Sequence, residues 1–274
     1  MLTNHKGKKV LKELQLNCEQ EKSRIVTFLR DQMATAGFSR AVLGLSGGVD
    51  SSLVAALSVE ALGRENVTGL ILPYKTSTPQ SSAHAELVAR QLGIQTERID
   101  ITPMVDAFIA TAADMDATRR GNIMSRCRMI LLYDRSAALQ ALVMGTSNRT
   151  ESLLGYFTLY GDGAAAIKPI AHLYKCQVRE LAGHLGIPEQ IITKAPSADL
   201  WQGQTDEGEL GFSYDEADQI LYLLTEKQLG EEQVSALGFR PEVVKAVWRR
   251  MERTEFKRRW PPELTPGWTF HNTH

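Results

Sequence analysis

Residues 41–52, AVLGLSGGVDSS, constrain this chain more than any other stretch: an apolar run passes through Ser-Gly-Gly and straight into an Asp-Ser helix start. A short apolar run closed by glycines predicts a buried strand, Ala41–Leu45, and the periodicity after it predicts a helix over Ser51–Leu62. That order makes a phosphate cradle. Gly47 and Gly48 can take the positive φ values that turn successive backbone N–H groups onto an anion. The helix opening near Asp50 aims its positive end at the same point, and the hydroxyls of Ser46, Ser51 and Ser52 add donors. No lysine follows the glycines, so the G-x-x-x-x-G-K-[ST] loop of ordinary nucleotide hydrolases is not matched.

The cradle sits in an alternation of strands and helices. A helical pattern over Lys9–Ala36 ends at Gly37. Short buried strands are then expected at Ala41–Leu45, Val67–Leu72, Thr96–Ile99 and Leu142–Met144, with helices Ser51–Leu62, Gln80–Leu92 and Ile123–Gln140 between them. The fold class this implies is α/β, a parallel sheet with helices on both faces and ligands at the carboxyl ends of the strands. SGGVDS, LPYKTS and GTSN would then emerge on one edge. From Gly155 to Gly211, glycine, proline and aspartate accumulate around a helix Lys175–Leu185, and the loops at about 155–170 and 195–212 read as mobile lids. A C-terminal helical part follows: Tyr214–Lys227, a short piece at Glu231–Leu237, and a basic helix opened by Pro241 and running to about Arg259. With 274 residues and 43% hydrophobic composition, a single domain over 1–274 is expected.

Charge and cysteine content narrow the classes further. Thirty-one basic residues against 32 acidic ones give a net charge of −1, which provides no field for nucleic acid or a membrane. Cys18, Cys127 and Cys176 are too few and too widely spaced for a disulfide framework, so a reducing, cytoplasmic setting is expected. The N-terminal stretch lacks the apolar core of a signal peptide, and no run is long enough to span a bilayer. His172 and Cys176 lie four apart without further ligands, and Cys127 has no matching base, so neither predicts a metal or nucleophile. In RRMERTEFKRR the interspersed glutamates make a solvated helix with one or two ligand-facing cations a better reading than a nucleic-acid surface.

SGGVDS resembles the pyrophosphate loop of ATP pyrophosphatases. The run of SGGVDS, LPYKTS, GNIMSRCRM, GTSNRTESLLGYFT, YGDG, KPIAHLYKCQVRELA, PSADLWQGQTDEGELGFSYDE and EFKRR is similar, in that order, to ammonia-dependent NAD synthetases. The resemblance implies an adenine nucleotide alpha hydrolase-like fold and a two-step reaction. ATP adenylates the nicotinate carboxylate of deamido-NAD with release of pyrophosphate, and ammonia then displaces AMP. It also implies ATP and Mg²⁺ as cofactors and a homodimer whose acceptor site lies across the subunit interface. A chain of this length leaves no room for the separate glutaminase domain of glutamine-using relatives, so free ammonia is the expected donor.

Carried over residue by residue, the resemblance gives the ATP phosphates to Gly44, Leu45, Ser46, Gly47, Gly48, Val49, Asp50 and Ser51. Thr146, Lys175 and Ser197 join them on ATP, and Asp50 and Glu151 become the metal ligands. Asp50, Glu151 and Lys175 are the implied catalytic set. Such chemistry needs charge neutralised by metal and lysine and little covalent help. Arg126 and Lys257 match acceptor-binding positions. Three acceptor positions depart from the family pattern: Leu159 stands where lysine is usual, Ala166 where aspartate is usual, and Phe256 where histidine is usual. Two readings follow. Either Tyr160, Asp162, Lys168 or Lys257 compensates for deamido-NAD, or the carboxylate has changed, for example to nicotinate mononucleotide. A paralogue that binds nucleotide without catalysis is a further alternative, against which the retention of Asp50, Glu151 and Lys175 speaks.

Overall fold

The computed structural model describes residues 2–3, 9–10 and 12–264 apart from 113 and 202; Leu11 and Trp268 are among those outside the described residues. Two short strands, β1 (Leu2–Thr3) and β2 (Lys9–Val10), pair antiparallel ahead of the main body. The predicted helix over Lys9–Ala36 is shorter than expected. Helix α1 covers Cys18–Ala36 because Asn17 caps it, accepting from the Gln20 N–H at 3.1 Å, while Lys12–Leu14 form a separate 3-10 turn. Gly37, at φ 75°, closes α1 in the left-handed conformation.

The sheet is made of β3 (Arg40–Gly44), β4 (Val67–Ile71), β5 (Gln95–Arg98) and β6 (Ala141–Val143), all parallel, in the order β5-β4-β3-β6. Alternation along β3 sends Ala41 and Leu43 into one core and Val42 into the other, so both faces are covered. On the first face pack α1, α2 (Val49–Leu62), α3 (Pro79–Leu92) and, later in the chain, α7 (Lys175–His184). On the second lie α4 (Thr102–Ile109) and α5 (Ala117–Leu139). Helix α5 begins six residues before the predicted Ile123, because Asp116 caps it through the Arg119 N–H at 2.7 Å. Helix α2 is buried on every side from Val49 to Ser58 apart from Asp50; its inner hydroxyls Ser52 and Ser58 bond back to the carbonyls of Gly48 and Val54.

Between β6 and α7 lies α6 (Arg149–Leu154). After α7 come α8 (Glu189–Ile192), α9 (Asp206–Leu210), α10 (Tyr214–Thr225), α11 (Glu231–Ala236) and α12 (Pro241–Arg253). The last of these surround a separate core of Tyr214, Ile220, Leu221, Val234, Val244 and Val247. The basic helix stops at Arg253, not Arg259: Thr254 folds its hydroxyl onto Arg250 O, and Glu255–Arg258 form a 3-10 turn. That turn docks on the end of α6, where Arg250 donates to Leu154 O, Arg258 to Leu153 O and Lys257 to Gly155 O. Cations meeting the carbonyl end of a helix in this way are favourable. Among the described residues no helix is long and apolar enough to cross a membrane.

Strand order fixes where a ligand goes. The chain runs from β3 outward through β4 to β5 and then returns past β3 to β6, so the crevice at the carboxyl ends of β3 and β6 is the topological switch point.

Candidate active site

At that crevice a cavity of about 450 Å³ opens, bordered by the segments after β3, β4 and β6. Gly44, Leu45, Ser46, Gly48, Val49, Asp50 and Ser51 line it, with Thr146, Glu151, Lys175, Ser197 and Lys257. The structure thus gathers nearly all of the predicted ATP residues. Two details differ from expectation. Only Gly47 takes a positive φ (76°); Gly48 is extended at φ −92° and serves as the N-cap of α2. The Ser52 hydroxyl is buried and spent on Gly48 O at 2.8 Å, so it is no donor to the cavity. Ser46 and Ser51 do face it, their hydroxyl oxygens 3.1 Å apart.

Gly47 allows the loop to lie under α3. A Cβ there would come 2.1 Å from Ser81 O and 3.0 Å from Ala85 N, besides forcing a side chain into the left-handed region. Gly47→Ala is therefore expected to cost at least about 1–3 kcal/mol from backbone strain alone. Thermal melting would register it as a lowered Tm, and calorimetry as weakened ATP binding.

The charged centre is compact. Lys175, almost fully buried, places Nζ 2.6 Å from Asp50 Oδ2 and 3.0 Å from Glu151 Oε1, and 5.1 Å from the ring centroid of Tyr214. Burial pulls the lysine downward, but the two carboxylates outweigh it and hold it above its ordinary value. Burial pushes Glu151 up to about 7, with Lys175 opposing and Asp50 adding to the rise. Asn148, fully buried, joins the two carboxylate residues: its amide donates to Asp50 Oδ1 at 2.8 Å, and its carbonyl oxygen caps α6 by accepting from the Glu151 N–H at 2.9 Å. Behind them Asp206 accepts from the hydroxyls of Tyr214 (3.0 Å) and Tyr156 (3.2 Å), and burial holds its carboxyl above the ordinary range. Asp50 and Glu151 converge on one cationic atom beside a phosphate-sized loop. That is a donor set suited to Mg²⁺, which takes one or two carboxylates and completes its shell with phosphate oxygens and water.

The acceptor residues fall differently. Of Arg126, Leu159, Ala166, Phe256 and Lys257, Lys257 alone lines the cavity. Its ammonium is engaged by Gly155 O (2.9 Å) and Phe157 O (2.8 Å). Arg126 donates to the backbone oxygen of Leu159 at 3.2 Å, Ala166 is exposed, and Phe256 is 64% exposed. Asp162 is committed to tying its loop to α5, accepting from Ser125 Oγ on that helix and from the Thr158 N–H. His172 pairs with Glu21 at 2.6 Å, and among the described residues no group of three or more His, Cys, Asp or Glu side chains forms a metal site.

Residues that the sequence reading did not single out complete the site. Asn148 was signalled by its spacing from Glu151, an Asn-x-x-Glu capping pattern. Lys194, half-buried on the cavity wall with Nζ 3.0 Å from Ser81 Oγ, and Asp206 carried no such mark.

A parallel sheet with a Ser-Gly-Gly loop, two carboxylates and a buried lysine at its switch point defines an α/β nucleotide-binding enzyme. The NAD synthase family model matches residues 21–261. The NH(3)-dependent NAD(+) synthetase of Trichlorobacter lovleyi is 49% identical over 251 residues, which cover 92% of each chain. Among solved structures, an NMN synthetase from Francisella tularensis superimposes with a TM-score of 0.81 at 35% identity, covering 93% of this chain and 100% of that one. An NH3-dependent NAD synthetase from Campylobacter jejuni gives 0.79 at 32% identity, covering 92% and 100%. The chain belongs to the NAD synthase family, and it is a ligase.

Proposed function

We propose that this enzyme makes NAD by ATP-dependent amidation of deamido-NAD with ammonia. The observation that carries the reading is the convergence of Asp50, Glu151 and Lys175 on the Ser-Gly-Gly loop in a chain 49% identical to an ammonia-dependent synthetase. Leu45–Ser51 hold the phosphates through backbone N–H groups and the first turn of α2. Thr146 and Ser197, which line the same cavity, would add hydroxyls to the nucleotide. Asp50 and Glu151 would hold Mg²⁺, which would neutralise charge on the triphosphate and the leaving pyrophosphate when bound. Lys175 orients a phosphate oxygen as the carboxylate attacks the α-phosphorus. The acyl-adenylate then needs protection from water until ammonia arrives, which the loops about 155–170 and 195–212 would provide by closing over the cavity. Each step asks for positioned charge and a dry site, and these residues supply both.

The changed-carboxylate reading is not favoured. It rests on Leu159, Ala166 and Phe256 and on a 35% identical NMN synthetase, against a 49% identical NAD synthetase. A direct competition decides: with ATP, Mg²⁺ and ammonium, deamido-NAD is expected to give NAD, AMP and pyrophosphate with a kcat/KM at least tenfold above that for nicotinate mononucleotide. The reverse preference would overturn the assignment.

Assembly belongs to the same proposal. Most of the acceptor residues lie outside the single-chain cavity, as they would if a second copy completed that pocket. Helix α1 turns Ile25, Val26, Leu29 and Met33 into the core and is no interface candidate by its apolar face. Helix α5 leaves Ile130 (52%) and Tyr133 (40%) exposed and carries Arg126 as well. The proposed assembly is a homodimer centred on α5, in the cytoplasmic setting proposed from the cysteine content. Light scattering at micromolar concentration is expected to return twice the chain mass, and Ile130→Glu with Tyr133→Glu to return a monomer. A monomeric wild type would refute it.

A further inference from the structure

Beneath the charged centre lies a second layer that touches no part of the cavity. Asp218, on α10, and Thr150, on α6 next to Glu151, are both fully buried. The Thr150 hydroxyl donates to Asp218 Oδ1 at 2.5 Å, and Thr150 Oγ1 itself accepts from the Lys175 N–H at 2.9 Å. The other carboxylate oxygen, Oδ2, accepts from the Cys176 N–H at 2.7 Å, and the Cys176 thiol also bonds to this carboxylate. Two otherwise unpaired N–H groups at the start of α7 are thereby satisfied, and a negative group faces that helix's positive end.

A carboxylate sealed from water is costly unless its oxygens are matched, and no lysine or arginine donates to Asp218 among the hydrogen bonds of the described residues. An apolar side chain would fill this place in the core at lower cost, so its chemistry calls for a reason. The connectivity provides one. Glu151 follows Thr150 directly, and Lys175 N is bonded to Thr150, yet Glu151 and Lys175 come from helices joined by a twenty-residue loop. Asn148 links Asp50 to Glu151 from the cavity side; the Arg149 N–H ties the start of α6 to Leu173 O at 2.8 Å, and Thr150, with Asp218 behind it, carries the tie on to the backbone N–H groups of Lys175 and Cys176 themselves.

We propose that Thr150 and Asp218 are positioning residues for the ligase reaction: they hold the first turn of α7 against α6, so that the Lys175 ammonium and the Glu151 carboxylate meet ATP at a fixed separation. The inference rests on the roles given to Lys175 and Glu151 above.

The test is a series at position 150. Thr150→Val keeps shape and removes the hydroxyl; Thr150→Ser keeps the hydroxyl. Each variant is assayed at least 15 °C below its own Tm, for NAD formation and, separately, for ATP binding by calorimetry with Mg²⁺ present. Thr150→Val is expected to lower kcat at least tenfold and to weaken ATP binding at least fivefold, with KM for deamido-NAD within twofold of wild type. Thr150→Ser is expected to stay within threefold of wild type in all three. Should Thr150→Val fail to fold, Asp218→Asn replaces it: it keeps an acceptor for the Cys176 N–H but points an amide N–H at Thr150, and the same losses are expected in smaller degree. A hydroxyl-free variant with lower Tm but wild-type kcat and ATP affinity would show plain core packing and overturn the proposal. If the wild type binds ATP yet makes no NAD, the functional assignment fails instead, and the ATP-binding series still decides the clamp.

Discussion

Asp50→Asn is expected to reduce pyrophosphate release by a factor on the order of 10²–10³ while leaving the fold standing, the scale of loss when one preorganised electrostatic group is removed from a transition state. The asymmetry comes from where Asp50 sits. Its side chain lies in the first turn of α2 at the cavity edge, 18% exposed, whereas the residues that hold the core, Leu53, Val54 and Leu57, are fully buried one and two turns further along the helix and keep their packing. Asparagine has nearly the same shape but offers one acceptor where aspartate offers two. Asp50 now receives the Asn148 amide on Oδ1 and the Lys175 ammonium on Oδ2, so one of these donors would meet an N–H. Loss of the negative charge also takes away one of the two carboxylates that would hold a divalent cation, which outweighs the easier ionisation of Glu151 once Asp50 no longer raises it. Tm should move by only a few degrees, and pyrophosphate release by the variant at the wild-type rate would exclude the assigned role. Glu151→Gln should act in the same direction.

Which parts of this arrangement a reader of the sequence can reach depends on how local their cause is. The strand, glycine loop and helix from Ala41 to Leu62 are contiguous, and their periodicities and turn residues describe the cradle without reference to the rest of the chain. The parallel sheet follows from strand-helix alternation, and with it the convergence of the segments after β3, β4 and β6. The starts of α1 and α5 lie away from where periodicity places them because the caps Asn17 and Asp116 decide them, whereas Gly37 and Ser213 close α1 and open α10 at the expected places. Strand β5 falls within one residue of the expected Thr96–Ile99 but is mostly exposed at the sheet edge, not buried, while α4 and α6 are too short for a helical period to register. The charged centre was legible only through resemblance, since Asp50 and Lys175 are 125 residues apart and no spacing rule joins them. Asp206, Tyr214 and Asp218 were out of reach for the same reason: each acts on a partner that tertiary packing, not sequence, brings near. Even so, the flanking Asn-x-x-Glu at Asn148 shows that a cap can be read as part of a site when its N3 residue is a candidate ligand.

Lys175→Met separates the two duties of the buried ammonium. In the absence of divalent cations the variant leaves Asp50 and Glu151 facing each other without their counter-charge, and breaking a buried pair from one side costs about 3–5 kcal/mol. The loss carries a definite pH signature. Glu151 stands at about 7 in the wild type, against an ordinary value of 4.5, and removing Lys175 takes away the neighbour that lowers it, so its folded-state value climbs further. A carboxyl held above its unfolded value keeps a proton that the unfolded chain has already released. Stability therefore falls as pH rises from about 4.5 through the folded value. In a chelator, the difference in Tm between variant and wild type should be smaller at pH 5.5 than at pH 7.5. Added Mg²⁺ should restore part of the stability at pH 7.5, because a cation again sits between the carboxylates. Adenylation should stay depressed by a factor on the order of 10² or more, because the metal does not replace the ammonium on the phosphate. If Mg²⁺ returned activity together with stability, Lys175 would be a filler of the metal position and not a phosphate ligand.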